Sequence, residues 1–183
     1  MKLINTNLKG CYILEPEVFR DHRGWFCESY SRKTLSGLGI NVDFVQDNLS
    51  FSANKGTLRG MHCQTEPFSQ AKLITCTRGS IVDVVVDVRE GSETYLKYAE
   101  VELSRENMRM LFVPKGFLHG FLTLEDNVEI FYKVDNFYSP EHDRSVNYLD
   151  PSFNIDWGYF VPTVSEKDRN APFLADSDVR FHI

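Results

Sequence analysis

Short extended segments recur along this chain and restrict the folds that it can adopt. The segments KLITCT, SIVDVVVDV and VEIFYKV (residues 72–77, 80–88 and 128–134) are rich in β-branched and aromatic residues, and turns separate them. Such segments are typical of strands. The sequence has no long helical pattern and no alternation of strands with helices, which favours an antiparallel sandwich or barrel. We therefore predict an all-β fold.

One of these segments indicates that the interior is partly polar. In residues 80–88, Ile81, Asp83, Val85 and Asp87 alternate with a row of valines. Alternate residues of a strand point to the same face. Two carboxylates on one face therefore predict an interior that combines apolar and charged side chains.

The remaining segments predict little helix. Residues 31–40, SRKTLSGLGI, begin with a serine that can cap a helix and end in glycines, so we expect a short helix there. Residues 43–52, DFVQDNLSFS, are predicted to return to a strand. Beyond about Pro140 the alternation stops, and we expect a loop-rich tail with a helical turn at residues 165–168.

The length and charge of the chain limit its class. A chain of 183 residues without a linker predicts one domain over residues 1–183, with a strand core at about 40–135 and both ends packing on it. A net charge of -6 without a basic run argues against nucleic-acid binding. We also expect no membrane span and no signal peptide, and therefore a cytoplasmic protein.

The four cysteines predict buried thiols rather than disulfides. Cys11, Cys27, Cys63 and Cys76 form no CxxC pair, and a chain of this size does not depend on disulfides. Cys63 follows the histidine considered next, but a strand cysteine is more often a small core residue than a nucleophile.

The segment GTLRGMHCQ, residues 56–64, carries the first candidate for chemistry. His62 can accept a proton near neutral pH, and Arg59 can bind an anion. Alternatively, His62 is a hydrogen-bonded core residue and Arg59 a solvated charge. The segment alone supports both interpretations equally, so the polar residues downstream must decide between them.

A second glycine- and histidine-bearing segment points to a fold family but not to a metal. VPKGFLHGF places Pro114, Gly116 and His119 in an arrangement similar to the second motif of cupins. The first motif of metal-binding cupins needs a second histidine, and Gln64 stands at that position. Two histidines without a third donor make a poor transition-metal site. We predict a cupin-like jelly roll, a double-stranded β-helix with short peripheral helices, and no metal.

Three further polar residues lie on apolar strand faces. Lys72 shares a face with Ile74, Tyr132 with Ile130, and His119 with its flanking phenylalanines. Each has a structural explanation: a lysine that extends to the rim, a core tyrosine and a hydrogen-bonded histidine. Together with His62, however, they favour a half-apolar pocket.

Asp168 has two interpretations that spacing does not separate. In SEKD, residues 165–168, a serine is followed three residues later by an acid, as in a helix capping box. Alternatively, Asp168 holds the imidazole of His62 and raises its basicity, as the acid of a catalytic dyad does.

Six longer segments carry a resemblance to a known family. They are FRDHRGWFCESY, VQDNLSFSANKGTLRGMHCQ, QAKLITCTRGSIVDVVVDVREGS, VPKGFLHGF, YSPEHDRSVNYLDPSFNIDW and SEKDRNAPFL. They are similar to segments of the dTDP-4-dehydrorhamnose 3,5-epimerase family, occur in the same order and cover nearly the whole chain. The resemblance implies a homodimeric jelly roll that needs no cofactor and acts on a dTDP-linked 4-keto-6-deoxyhexose.

The resemblance also implies roles for individual residues. His62 would be the base, Asp168 its partner, Tyr132 the acid and Lys72 the stabiliser of the enolate. The implied substrate-binding residues are Arg23, Glu28, Gln46, Asn48, Arg59, His119, Tyr138 and Lys167, with Arg59 and His119 assisting Lys72, Arg23 at the diphosphate and Tyr138 stacking on the base. Some nucleotide contacts would come from the partner subunit.

The predicted activity is inversion of C3 and C5 of dTDP-4-dehydro-6-deoxy-D-glucose on the way to dTDP-rhamnose. Inversion next to a ketone needs a base, a stabiliser for the enolate and an acid on the other face of the ring. Cys63, Ser145, Tyr148 and Gly158 depart from the family pattern, which leaves a C3- or C5-only epimerase open as an alternative. A nucleotide-sugar-binding cupin without activity is the alternative from another class.

Overall fold

Strands make up most of the regular secondary structure in this computed structural model, which describes residues 1–158 and 161–183. In chain order the strands are β1 (Lys2–Asn5), β2 (Tyr12–Glu15), β3 (Val18–Asp21), β4 (Gly24–Cys27), β5 (Gln46–Ser52), β6 (Thr57–Gln64), β7 (Lys72–Arg78), β8 (Ser80–Asp87), β9 (Arg89–Glu90), β10 (Tyr98–Ser104), β11 (Met110–Val113), β12 (Phe117–Thr123), β13 (Val128–Val134), β14 (Asp143–Ser145), β15 (Thr163–Val164) and β16 (Phe181–His182). The helical segments are α1 (Arg32–Gly37), α2 (Glu166–Arg169) and one 3₁₀ turn (Leu174–Asp176).

In the described part of the chain, most strands belong to two six-stranded sheets. The first sheet has the order β1-β2-β11-β7-β13-β5 and is antiparallel throughout. The second sheet has the order β10-β8-β12-β6-β14, and β15 joins it by pairing parallel to β6. The prediction of an all-β fold without βαβ units is confirmed.

The two sheets pack face to face around an apolar core. Ile74 of β7 and Ile130 of β13, from the first sheet, belong to the same buried cluster as Ile81, Val85 and Phe121 of the second sheet. Full burial of such a side chain stabilises the fold by roughly 1.5–3 kcal/mol. The strand faces inferred from period-two alternation are therefore the faces that meet in the core.

The interior also contains the two carboxylates that the alternation of β8 predicted. Asp83 and Asp87 are both completely buried. Asp87 accepts hydrogen bonds from the side chains of Arg89, Ser92 and Thr94. The guanidinium of Arg89 compensates its negative charge, and the hydroxyls satisfy its remaining hydrogen-bonding capacity. The partly polar interior is confirmed.

The outer face of the second sheet is covered by the C-terminal part of the chain. Val84 and Val86, from the valine row of β8, belong to a second cluster with Phe153, Trp157 and Phe181. On the first sheet, Leu35 of α1 packs in a third cluster. Residues that sequence patterning treated as a loop-rich tail therefore complete an apolar layer.

Some boundaries differ from the expectations. The helix predicted over 31–40 begins after Ser31, whose Oγ accepts from the N–H of Thr34 at 3.2 Å, but α1 already ends at Gly37. The strand predicted from residue 43 begins at Gln46, because its partner β13 ends opposite that residue. In the tail, β14 and β15 both pair with β6, and these strands are too short to leave a pattern in the sequence.

β6 and β12 approach each other closely where they carry the two candidate histidines. His62 lies opposite His119 in the register, and the pairing shifts between His119 and Phe121. Gly60 has a φ of +137°, and a Cβ there would lie 2.5 Å from the Cα of Gly120. Only glycine fits at this position.

Among the described residues, no helix has the length and apolar character needed to cross a membrane.

Candidate active site

A cavity of about 450 Å³ is lined by residues of both sheets and of α2. A smaller cavity of about 150 Å³ adjoins it, since His62, Lys72 and Tyr132 line both. We call them the larger lobe and the smaller lobe. The sequence-predicted residues that line one or both lobes are Gln46, Asn48, Arg59, His62, Lys72, His119, Tyr132, Tyr138, Lys167 and Asp168.

His62 and Asp168 form a close pair at the wall of the larger lobe. Nε2 of His62 lies 2.6 Å from Oδ1 of Asp168. Burial acts to raise the pKa of Asp168, but the hydrogen bonds from His62 and from the N–H of Gly60 outweigh burial and hold that pKa below its usual value. Asp168 is therefore ionised at neutral pH. When Nε2–H of His62 donates to it, the lone pair of the imidazole lies on Nδ1.

At Asp168 the structure shows the half of the capping box that Ser165 supplies and, in place of the other half, the contact with His62. Its backbone N–H donates to Oγ of Ser165 at 3.1 Å, which caps α2. Its side chain turns away from the helix terminus and bonds His62 instead. The cap thus fixes the position of the residue whose carboxylate orients the imidazole.

Lys72 projects from β7 into both lobes. Burial lowers its pKa, while the charges of Asp83 and Asp143 oppose that change. Within the described residues, its ammonium forms no ion pair closer than 4.0 Å. A partly desolvated cation without a fixed partner can stabilise negative charge that develops on a ligand.

Tyr132 projects from β13 of the first sheet, whereas His62 projects from β6 of the second. Burial raises the pKa of Tyr132, and the charge of Arg59 only partly opposes this. The phenol therefore keeps its proton at neutral pH and can donate it. A group that can accept a proton and a group that can donate one thus reach the same cavity from opposite sheets.

His119 is paired with a residue that the sequence did not connect to it. Its Nε2 lies 2.8 Å from Oδ1 of Asp83, and Oδ2 of Asp83 is buried without a hydrogen-bond partner among the described residues. Burial lowers the pKa of His119, and Asp83 opposes that change. The two carboxylates on one face of β8 were the only sign in the sequence that Asp83 lies in the interior. Its pairing with His119 depends on the register of β8 with β12, which the sequence does not reveal.

Arg59 is held against the edge strand of the first sheet. Its Nε donates to Oγ of Ser52 at 3.1 Å, and one terminal nitrogen donates to the carbonyl of Phe51 at 3.0 Å. These bonds fix the guanidinium at the wall of the larger lobe. Ser52 is a second residue that the sequence gave no reason to select.

The smaller lobe brings together Gln46, Asn48 and Tyr138, three of the implied substrate-binding residues. Nε2 of Gln46 donates to Oδ1 of Asn48 at 2.9 Å, and the backbone N–H of Tyr138 donates to Oε1 of Gln46 at 3.2 Å. Nζ of Lys167, which lines the larger lobe, donates to Asp143, which lines the smaller one.

Arg23 and Glu28 are not brought to either lobe within the chain. Arg23 lies in the β3–β4 hairpin, bonds Asp21, and its side chain is 79% exposed. Glu28 accepts from the hydroxyl of Thr34 at 2.7 Å. Both residues are exposed at the surface, outside the lining of the two lobes.

The geometry assigns no chemistry to Cys63. Burial raises the pKa of its thiol to about 12, so it stays protonated at neutral pH. In the part of the chain that the structure describes, no group of three or more His, Cys, Asp or Glu side chains could hold a metal ion.

A family profile described as dTDP-4-dehydrorhamnose 3,5-epimerase matches residues 5–176. The chain belongs to this family. A family member from Shigella flexneri, named dTDP-4-dehydrorhamnose 3,5-epimerase, is 45% identical over 179 residues, which cover 97% of this chain and 98% of the relative.

Solved structures of related epimerases share the fold. The dTDP-6-deoxy-D-glucose-3,5-epimerase of Legionella pneumophila, in complex with dTDP-4-keto-L-rhamnose, is 42% identical, with a TM-score of 0.92 and coverage of 97% of this chain and 94% of that one. A 3'-monoepimerase from Streptomyces bikiniensis, in complex with dTDP-quinovose, is 33% identical, with a TM-score of 0.88 and coverage of 96% and 91%. Membership of the family confirms the predicted jelly roll and the predicted class of enzyme, an epimerase.

Proposed function

We propose that the chain inverts C3 and C5 of dTDP-4-dehydro-6-deoxy-D-glucose to give dTDP-4-dehydro-L-rhamnose, on the way to dTDP-rhamnose and without a cofactor. The observation that carries the proposal is the 2.6 Å pair of His62 with Asp168 in a cavity that Lys72 and Tyr132 also line. Family membership supports the substrate, since the Legionella relative holds dTDP-4-keto-L-rhamnose.

His62 is the base in this proposal. A proton next to a ketone is weakly acidic, and a positioned base speeds its removal by roughly 10²–10⁴-fold. Asp168 fixes the tautomer of His62 and stabilises the imidazolium that forms, because its carboxylate stays ionised beside Nε2.

Lys72 stabilises the enolate that results, assisted by Arg59 and His119. Removal of the proton moves negative charge onto the ketone oxygen, and a cation in a desolvated site interacts strongly with that charge. The three side chains line the larger lobe together, and hydrogen bonds to Ser52 and Asp83 hold Arg59 and His119 in place.

Tyr132 returns a proton to the opposite face of the sugar ring. Inversion requires an acid that is distinct from the base and lies across the ring from it. Tyr132 and His62 come from opposite sheets, and burial keeps the phenol protonated. Proton exchange with water then returns His62 to its neutral form and Tyr132 to its protonated form, and repetition of these steps at C5 completes the double epimerisation.

The nucleotide occupies the smaller lobe and its surroundings in this proposal. Gln46 and Asn48 contact it, Tyr138 stacks on the base and Lys167 binds the diphosphate. Arg23 and Glu28 complete the site from the partner subunit of a homodimer.

Two exposed apolar regions support the homodimer. Phe19 and Phe26 of the β3–β4 hairpin are 57% and 69% exposed, and Leu49 and Phe51 of the edge strand β5 are also exposed. Apolar patches of this kind mark interaction surfaces. Sedimentation equilibrium at micromolar concentrations tests this, and a monomer there contradicts the shared site.

Location and domain organisation complete the proposal. Cysteines Cys11, Cys27, Cys63 and Cys76 are free thiols, as in proteins of a reducing compartment, which supports the cytoplasm. A single domain over residues 1–183 is supported by β1, which belongs to the first main sheet, and by β16, which pairs with β9 directly after β8 of the second main sheet. A single cooperative unfolding transition in urea is expected; two transitions contradict the single domain.

Proton NMR in deuterated water tests the proposed activity. The substrate is incubated with the chain, loss of the C3 and C5 proton signals is followed separately, and the products are trapped by reduction. Exchange at both carbons with an L-configured product supports the double epimerase. Exchange at one carbon assigns a C3- or C5-only epimerase, and binding of dTDP without exchange assigns a nucleotide-sugar-binding cupin.

A further inference from the structure

Gln64 is a buried amide at the end of β6, 4% exposed, and it lines the smaller lobe. Its Nε2 donates to the carbonyls of Phe68 and Phe137 at 2.7 and 3.2 Å, and its Oε1 accepts from the N–H of Ser139 at 2.7 Å. Two carbonyl acceptors and one N–H donor admit a single orientation of the amide. Gln64 therefore connects β6 with the loop before β7 and with the segment after β13.

Two of these bonds lie on either side of Tyr138. The carbonyl of Phe137 belongs to the peptide group before the Cα of Tyr138, and the N–H of Ser139 belongs to the peptide group after it. The N–H of Tyr138, in the first of these groups, donates to Oε1 of Gln46 at 3.2 Å. Peptide groups are planar, so holding both of them fixes the two backbone dihedrals of Tyr138 and the direction of its side chain.

The ring of Tyr138 depends on this support from the backbone. Tyr138 is 57% exposed, and its hydroxyl lies 3.5 Å from Asp143. This contact is longer than the roughly 2.5–3.0 Å of an ordinary O–H···O hydrogen bond, and packing does little to orient an exposed ring. A ring that must be ordered when a ligand arrives costs free energy of binding, whereas a ring already in position does not.

We infer that Gln64 is a positioning residue that orients Tyr138 for stacking on the nucleotide base. The inference rests on the proposed function, which stacks that base on Tyr138. Gln64 acts through the two peptide groups and not through a bond to the ligand. His62 lies two residues earlier on β6 and lines the same lobe, so the amide also fixes the stacking surface relative to the residue that removes the proton.

A double-mutant cycle, measured by calorimetric titration with dTDP, tests this role. Tyr138→Ala is expected to weaken binding by roughly five- to hundredfold, the range that stacking on an aromatic side chain supplies. Gln64→Met keeps the length of the side chain without its hydrogen bonds and is expected to weaken binding by roughly two- to tenfold, the cost of ordering one side chain. The double variant is expected to bind as weakly as Tyr138→Ala and no more weakly, because Gln64 acts through that ring.

Kinetic constants and a ligand without a base separate positioning from a general structural role. Gln64→Met is expected to raise KM for the substrate while kcat changes by less than about twofold, as when binding that is equal in ground and transition state is lost. Inorganic diphosphate has no base to stack, so it is expected to bind Gln64→Met and the wild type equally.

Asn107→Leu is the matched control. Oδ1 of Asn107 accepts from the N–H groups of Ser104 and Arg109, and its Nδ2 donates to the carbonyl of Glu102. This variant therefore also removes three bonds between an amide and the backbone, in the turn between β10 and β11, outside the lining of both lobes. It is expected to lower the midpoint of urea unfolding and to leave the affinity for dTDP unchanged.

Three results overturn the inference: an unchanged affinity for dTDP in Gln64→Met, losses that add in the double variant, or an equal loss of affinity for dTDP and for inorganic diphosphate. If Gln64→Met does not fold, Gln64→Glu carries the same cycle, because it keeps the acceptor for Ser139 and loses the donor to Phe137.

Turnover of dTDP-4-dehydro-6-deoxy-D-glucose by the wild type separates this inference from the proposed function. Absence of turnover with the expected cycle contradicts only the proposed reaction. An unchanged affinity for dTDP in Tyr138→Ala removes the stacking and overturns the inference, even where the wild type turns the substrate over.

Discussion

Nε2 of His119 lies 2.8 Å from Oδ1 of Asp83, a completely buried carboxylate whose other oxygen has no hydrogen-bond partner in the described residues. A buried carboxylate in such a place stabilises the protonated imidazole against the effect of burial. The pair therefore controls whether His119 presents a proton to the cavity or only a lone pair.

Asp83→Asn is expected to lower the pKa of His119 further, because burial already lowers that pKa and the carboxylate is the group that opposes it. The ring-proton chemical shifts of His119, followed by NMR against pH, measure the change. The ring-proton shifts of His22, an exposed residue outside the lining of both lobes, serve as the internal reference. An unchanged pKa of His119 would show that the carboxylate of Asp83 does not control the protonation of this histidine.

Asp168→Asn is expected to lower kcat by on the order of a hundredfold or more, because the amide no longer stabilises the imidazolium of His62. The affinity for dTDP is expected to stay the same, since Asp168 lies at the base and not in the nucleotide lobe. Product formation at fixed time points measures kcat, and calorimetric titration measures the affinity for dTDP.

Ser165→Ala is the matched control for this variant. It removes the hydroxyl that caps α2 but keeps the carboxylate of Asp168. Loss of such a cap costs about 1 kcal/mol of stability. A fall in kcat as large as that of Asp168→Asn would mean that helix position, and not the charge, explains the loss.

Lys72→Met is expected to lower kcat on the order of a hundredfold, the usual cost of losing one donor at a developing oxyanion. Methionine has a similar length and no charge, so the lobe keeps its shape. Calorimetry with dTDP is expected to give a nearly unchanged affinity. Loss of dTDP binding would place Lys72 at the nucleotide instead of the ketone oxygen.

Tyr132→Phe is expected to separate proton removal from inversion. His62 still removes the proton, so washout into deuterated water continues, but the acid on the opposite face is missing and the epimerised product falls sharply. NMR of washout and of reduced products in one sample gives both rates. Equal loss of the two rates would show that Tyr132 takes part in proton removal.

The stability of the protein is expected to fall as the pH drops below about 5, in part through Asp168. The pKa of Asp168 is lower in the folded than in the unfolded chain, so the unfolded chain takes up its proton first. The stabilisation is therefore complete above the unfolded pKa and is lost as the pH falls through the folded one. Urea unfolding at several pH values measures this, and Asp168→Asn is expected to show a shallower decline.

Much of the site could be predicted because strand alternation is a local property. Lys72, Tyr132 and His119 were placed on core-facing rows by their neighbours, and those neighbours, such as Ile74 and Ile130, do lie in the core. This argument needs no knowledge of which strands pair.

Other features depend on contacts between distant parts of the chain. Asp83 meets His119 only because of the register of β8 with β12, and Arg59 meets Ser52 across the cavity edge. Asp168 has a local role through its backbone N–H and a distant role through its side chain, and its spacing from Ser165 could not separate them. Arg23 and Glu28 lie away from both lobes, so their proposed role depends on a second subunit.

The attachment of α2 beside β6 has a consequence for synthesis on the ribosome. Every strand of the two main sheets precedes residue 165, whereas Asp168 follows them. A nascent chain can therefore contain every strand of the two main sheets, with His62 and Lys72, while the carboxylate that orients the base has not yet been synthesised. The wall that α2 contributes to the larger lobe is added only after those strands.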